Sequence, residues 1–147
     1  MRRAAAIALV LACATGCSDL RVQIGIYATM QEARSEGAVK NGWVPDGLPA
    51  ESTDLREGHT SDGRWGTFSF PPAKSDAVKA LVDSSEMQAN PPACDPPGRL
   101  EFWPRLLRTP IDLAQLHATG FHLYRSRDGA FHYAVNWLQG KGYYWRQ

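Results

Sequence analysis

The sequence predicts a small single α+β domain: an antiparallel sheet ending in a C-terminal β-meander, with two or three helices packed on it. Three observations carry this. The C-terminal stretches Phe121 to Ser126, Phe131 to Leu138 and Tyr143 to Arg146 are strand-like and joined by Asp128-Gly129 and Gly140-Lys141-Gly142. Short turns of this kind join antiparallel neighbours. Helical spacing recurs upstream, interspersed with strand-like segments, which points to an α+β arrangement. Removing the first 17 of 147 residues leaves 130, enough for one real core.

The first 17 residues are the layout of a secretory signal peptide. Arg2-Arg3 is a basic start, Ala4 to Ala12 an apolar run, and Ala14-Thr15-Gly16 a small-residue step into Cys17. The run is short of the roughly 20 apolar residues of a membrane span. Small residues ending on a cysteine resemble a bacterial lipoprotein precursor. That resemblance implies acylation of Cys17, palmitate among the chains, and a membrane anchor. Cys13, after Val10-Leu11-Ala12, is a competing site; Gly16 before Cys17 and the polar Ser18-Asp19 after it favour Cys17. Ser18 directly after the cysteine predicts outer-membrane sorting by the enterobacterial rule. The expected organisation is a signal peptide over 1–17, a tether over 18–26 and one domain over 27–147.

Losing Arg2 and Arg3 takes the formal charge from +1 to −1. Without a basic field, nucleic acid is excluded as a partner. Of three cysteines, Cys13 leaves with the signal and Cys17 is acylated. Cys94 then has no intramolecular partner.

Along the domain, Tyr27 to Val39 reads as a helix, with Tyr27, Met30, Ala33 and Arg34 on one side and Asn41-Gly42 as its stop. Trp43-Val44-Pro45 and Leu48-Pro49 form a stiff extended segment, since each proline pushes its predecessor out of helix. Ser52 to His59 and Arg64 to Phe70 read as strands about a Thr60-Ser61-Asp62-Gly63 turn. Ala73 to Val82 is a helix. Pro91, Pro92, Pro96 and Pro97 make a loop around Cys94. Leu100 to Trp103 reads as a short strand. Thr109-Pro110-Ile111-Asp112 carries start signals for a helix to His117, broken by Gly120. In the middle strand of the meander, Phe131, Tyr133, Val135 and Trp137 share one face, and His132, Ala134, Asn136 and Leu138 the other.

Four constellations carry candidate chemistry. His59 with Asp54, Glu57 and Asp62 is the densest titratable cluster, and a histidine near carboxylates can act as a base or ligand. No G-x-S-x-G or H-E-x-x-H accompanies it. Cys94 invites a thiol-nucleophile reading but needs a histidine beside it. His122 and His132, on adjacent strands, face one another in the expected pairing, yet two ligands are too few for a structural zinc site. The aromatic tail is either core or a binding platform, with Tyr144 and Trp145 its expected exposed members.

The segment Gly42-Trp43-Val44-Pro45, Leu48-Pro49, Ser52-Thr53-Asp54-Leu55, His59-Thr60-Ser61-Asp62, Trp65 and Phe68-Ser69-Phe70 resembles the YbbD-head-like domains, small uncharacterised bacterial envelope domains. The resemblance implies a small α+β domain. It brings no established activity and no catalytic residue. Trp43 is then a core anchor or a ligand contact.

These readings predict a lipid-anchored, non-enzymatic binding module at the outer membrane facing the periplasm. Its expected partner is an envelope protein or cell-wall component; an immunity lipoprotein is one form. The candidate binding residues are Trp43, His59, Asp62, Tyr144 and Trp145, with no cofactor and no metal. The rival is an envelope hydrolase using the His59 region or Cys94.

Overall fold

The computed structural model describes residues 21–147. The expected signal peptide and the Cys17 lipidation site lie outside the described residues. Six antiparallel strands form one open sheet: β1 (Gln23–Thr29), β2 (Thr53–His59), β3 (Arg64–Ser69), β4 (His122–Arg125), β5 (His132–Asn136) and β6 (Lys141–Arg146), in the order β1-β2-β3-β6-β5-β4. Two three-stranded meanders are thus joined edge to edge through β3 and β6. The helices are short: α1 (Met30–Ser35), α2 (Ser75–Leu81) and α3 (Leu113–Ala118). The small α+β domain with a C-terminal meander is therefore present. Among the described residues no helix is long and apolar enough to cross a membrane.

Both faces of the sheet are covered. Strand alternation sends Leu55, Phe68, Tyr133, Val135 and Tyr144 to one core, completed by Met30, Val44 and Val78. It sends Trp65, Ala134, Leu123 and Trp145 to a second core, completed by Cys94, Trp103, Leu107 and Leu116 from the long β3–β4 connection. At the central seam, register pairs Gly66 with Tyr144 and Phe68 with Gly142. Each ring lies over the glycine opposite, and a methyl group added at either glycine would run into that ring. The two aromatics interlock because the two glycines leave them room.

Four expectations change. Residues 23–26 belong to β1, not to a tether. Tyr27 ends up buried on that strand rather than opening a helix. The helix begins only at Met30, because Thr29 is its cap: its Oγ1 accepts from Glu32 N at 3.2 Å, and Glu32 reaches back to Ala28 N at 2.6 Å. Leu100 to Trp103 is a turn, closed by Trp103 N to Leu100 O at 3.1 Å. The third helix starts after Asp112, whose Oδ1 accepts from Gln115 N at 3.1 Å, rather than at Thr109.

Gly66→Ala and Gly142→Ala are each expected to destabilise by about 1–3 kcal/mol, the usual range for overpacking. Urea denaturation tests this, with Leu138→Ala, at a side chain 91% exposed, as the unchanged reference.

Candidate functional site

His59 is the last residue of β2, and Glu57 lies two residues before it on the same face. His59 Nδ1 is 2.8 Å from Glu57 Oε2, and Tyr27 donates its hydroxyl to Glu57 Oε1 at 3.5 Å. The Trp43 ring stacks on the imidazole, centroids 3.9 Å apart and planes 9° from parallel. Tyr144 donates to the Trp43 carbonyl at 3.0 Å. Four elements therefore meet at one polar island within the first core.

Its electrostatics follow from burial. Glu57 is 1% exposed. Desolvation pushes its carboxyl above the ordinary range, while the bonds from His59 and Tyr27 and the charge of Arg64 pull the other way. Burial and the neighbouring Glu57 raise the Tyr27 phenol to about 12. Burial likewise holds Tyr144 protonated. A carboxylate that orients a histidine is half of a hydrolytic triad. Among the described residues no serine, threonine or cysteine side chain hydrogen-bonds this ring.

The other expected site residues lie elsewhere. Asp62 is exposed in the Thr60–Gly63 turn, and with Trp65, Asp95 and Gln147 it lines a separate cavity of about 320 Å³. Asp54 pairs with Arg56 at 3.5 Å, away from the imidazole. Tyr144 and Trp145 are not an exposed platform: both are buried, on opposite faces, because both faces of the sheet are covered. Trp145 packs on His132 and edge-on against Trp103. Cys94 is fully buried and donates to the Leu107 carbonyl. Burial and the adjacent Asp95 push its thiol up to about 12, so it is neither reachable nor ionised.

His122 and His132 do not face one another. His122 pairs with Val135, and His132 with Arg125. His122 Nδ1 instead lies 2.9 Å from Glu86 Oε1, and His117 Nε2 lies 2.7 Å from the same oxygen. The two imidazoles stack at 5.2 Å. No local pattern marks Glu86; His117 and His122 are five residues apart, a spacing that a helix end and a following strand can fold together.

The sheet edges differ. Beyond β4, Met87 N bonds Leu123 O at 2.8 Å and Asp83 N bonds Arg125 O at 2.7 Å, so segment 82–87 covers that edge. Beyond β1 no described strand pairs. Thr60 N bonds Gly63 O across the turn. Alternation then turns the even-numbered backbone groups of β2 toward β3 and the odd-numbered ones toward β1. Gln23, Gly25 and Tyr27 register with His59, Glu57 and Leu55. The N–H and C=O groups of Ile24 and Ile26 therefore face the open edge.

Two outcomes test the site. The native Glu57 carboxyl keeps its proton to higher pH than the unfolded chain does. Between the ordinary value of 4.5 and that raised value, the native state carries the extra proton, so stability falls as pH rises. Urea midpoints across this window are expected to show that slope, and Glu57→Gln to remove it. Cys94 is expected to ignore a thiol reagent in native protein and to react fully once unfolded.

No curated protein and no solved structure matches the chain at significance. The family model of the YbbD head domain matches residues 23–71. That segment spans β1 to β3, α1 and the Trp43 loop, and holds Tyr27, Trp43, Glu57 and His59. Over residues 23–71, about a third of the chain, the sequence is similar to the YbbD head domain family.

Proposed function

We propose that this is a lipid-anchored protein of the bacterial envelope, held by Cys17 at the outer membrane and facing the periplasm. Its domain is a non-enzymatic binding module that takes an extended segment of an envelope protein onto the edge of β1. The observation that carries the reading is the contrast between the two sheet edges. The β4 edge is covered by segment 82–87. Among the described residues the β1 edge is open along Gln23-Ile24-Gly25-Ile26-Tyr27, which carries no charge to repel a strand. Ile24 is 57% and Ile26 67% exposed, although both are apolar. Strand addition uses such an edge: backbone bonds give affinity and alternate side chains give specificity. The buried state of Cys94 and of Glu57 argues against the hydrolase alternative, because neither group is open to a substrate.

Crosslinking of the full-length anchored protein, with recovered partners read by mass spectrometry, tests this. One envelope protein is expected with the native chain and not with Cys17→Ala. Ile24→Lys/Ile26→Lys is expected to lose that partner while leaving the melting temperature unchanged, since neither side chain is core. A partner retained by the double variant overturns the β1 edge as the docking site. Absence of any partner above the Cys17→Ala control overturns the module.

A further inference from the structure

We infer that Glu86, His117 and His122 form a binding site for a divalent transition cation of the zinc class. Each comes from a different element: Glu86 from the segment covering β4, His117 from the last turn of α3, and His122 from the start of β4. One ligand atom from each lies within 4.8 Å of the others. Two imidazole nitrogens and a carboxylate oxygen are a donor set that zinc accepts, leaving one position for water or another ligand. With metal–ligand bonds of about 2.0–2.1 Å, tetrahedral ligands stand about 3.3 Å apart. The 2.7 and 2.9 Å separations around Glu86 Oε1 need open only a few tenths of an ångström to admit the ion.

A carboxylate shared between two histidines by hydrogen bonds is the competing account, and His117 opposes it. Its Nε2 is buried and makes no directed hydrogen bond, although Glu86 Oε1 is 2.7 Å away. His122 Nδ1 is hydrogen-bonded to that oxygen at 2.9 Å, and His117 Nε2 converges on it without a bond of its own, the geometry of a third ligand directed at a shared position. The side chains are 23–36% exposed, so an ion reaches them from solvent.

The backbone holds the three in place. Gly120, at φ +83°, reverses the chain between His117 and His122. Gly120 N bonds His117 O at 2.8 Å, and Phe121 N bonds Leu116 O at 3.2 Å. Asn136 Nδ2 donates to Thr119 O at 3.2 Å, fixing the same reversal from β5. Glu86 is placed by the bond from Met87 N to Leu123 O, one residue beyond His122. A bound ion would therefore fasten the covering segment and α3 to the β4 edge. This site lies outside the family-matched segment and is independent of the β1 edge.

The untagged full-length chain in detergent is titrated with Co²⁺, read by visible d–d absorption, and then with Zn²⁺ in competition. One Co²⁺ per chain is expected, displaced by Zn²⁺. His117→Ala and His122→Ala should each weaken binding at least tenfold, with His132→Ala unchanged. Glu86→Gln supplies the same test at a partly exposed position should a histidine variant fail to fold; it is expected to weaken binding while far-UV circular dichroism stays native. Absence of saturable binding, or binding that survives loss of both histidines, overturns the proposal.

Discussion

The hydroxyl of Tyr144 is the point on which the N-terminal half of the molecule depends. It is wholly buried, and a phenol removed from water needs a hydrogen-bond partner. It finds the carbonyl of Trp43, 101 residues away in sequence. That bond ties the centre of the sheet to the loop between α1 and β2. The loop in turn sets the Trp43 ring on His59, and His59 is aimed at Glu57. The ring of Tyr144 has room only because Gly66 stands opposite it. A glycine in β3 and a carbonyl in a distant loop are thus two ends of one constraint.

That constraint also explains how a histidine–carboxylate pair is held inside the sheet. Burying an ionisable carboxyl is costly unless it is bonded. Glu57 is bonded by His59 and approached by Tyr27, and Trp43 covers the imidazole. His59 Nδ1 and both Glu57 oxygens are thus engaged with neighbours. The sheet reinforces this, since cores on both faces leave its interior side chains no route to solvent.

Strands β2 to β6 were legible because turn residues bracket alternating segments, and the Gly-Trp-x-Pro and Leu-Pro spacing pointed to the family whose model matches residues 23–71. Both β1 and the start of α1 were missed for one reason. Ile24 and Ile26 are apolar yet exposed, so the outward side of β1 carries no polar residue to mark it. The capping pair Thr29 and Glu32 was present in the sequence and marks the boundary. The Asp128-Gly129 turn also contained the correct register: a turn centred there pairs His122 with Val135 and Arg125 with His132. The fate of Tyr144 and Trp145 was not legible. Alternation says that neighbours face opposite sides, but not that both sides are covered. That depends on where the proline-rich β3–β4 connection lies, which is a long-range packing outcome.

The two ends of the sheet differ in a way that orders the functional readings. An uncovered strand edge is a liability unless it is short, charged, covered or used. The β4 edge is short and covered by segment 82–87. The β1 edge is longer, uncharged and apolar on its exposed side, and among the described residues nothing covers it. The proposed cation site would strengthen the covered edge, because its ligands come from the covering segment, the helix before β4 and β4 itself. Fastening that edge leaves β1 as the place where the sheet can grow. The family-matched segment contains β1 and the island beneath it, whereas the cation ligands belong to the remainder of the chain. The proposed recognition at one end and the proposed reinforcement at the other are therefore separable, carried by different stretches of sequence on one continuous sheet.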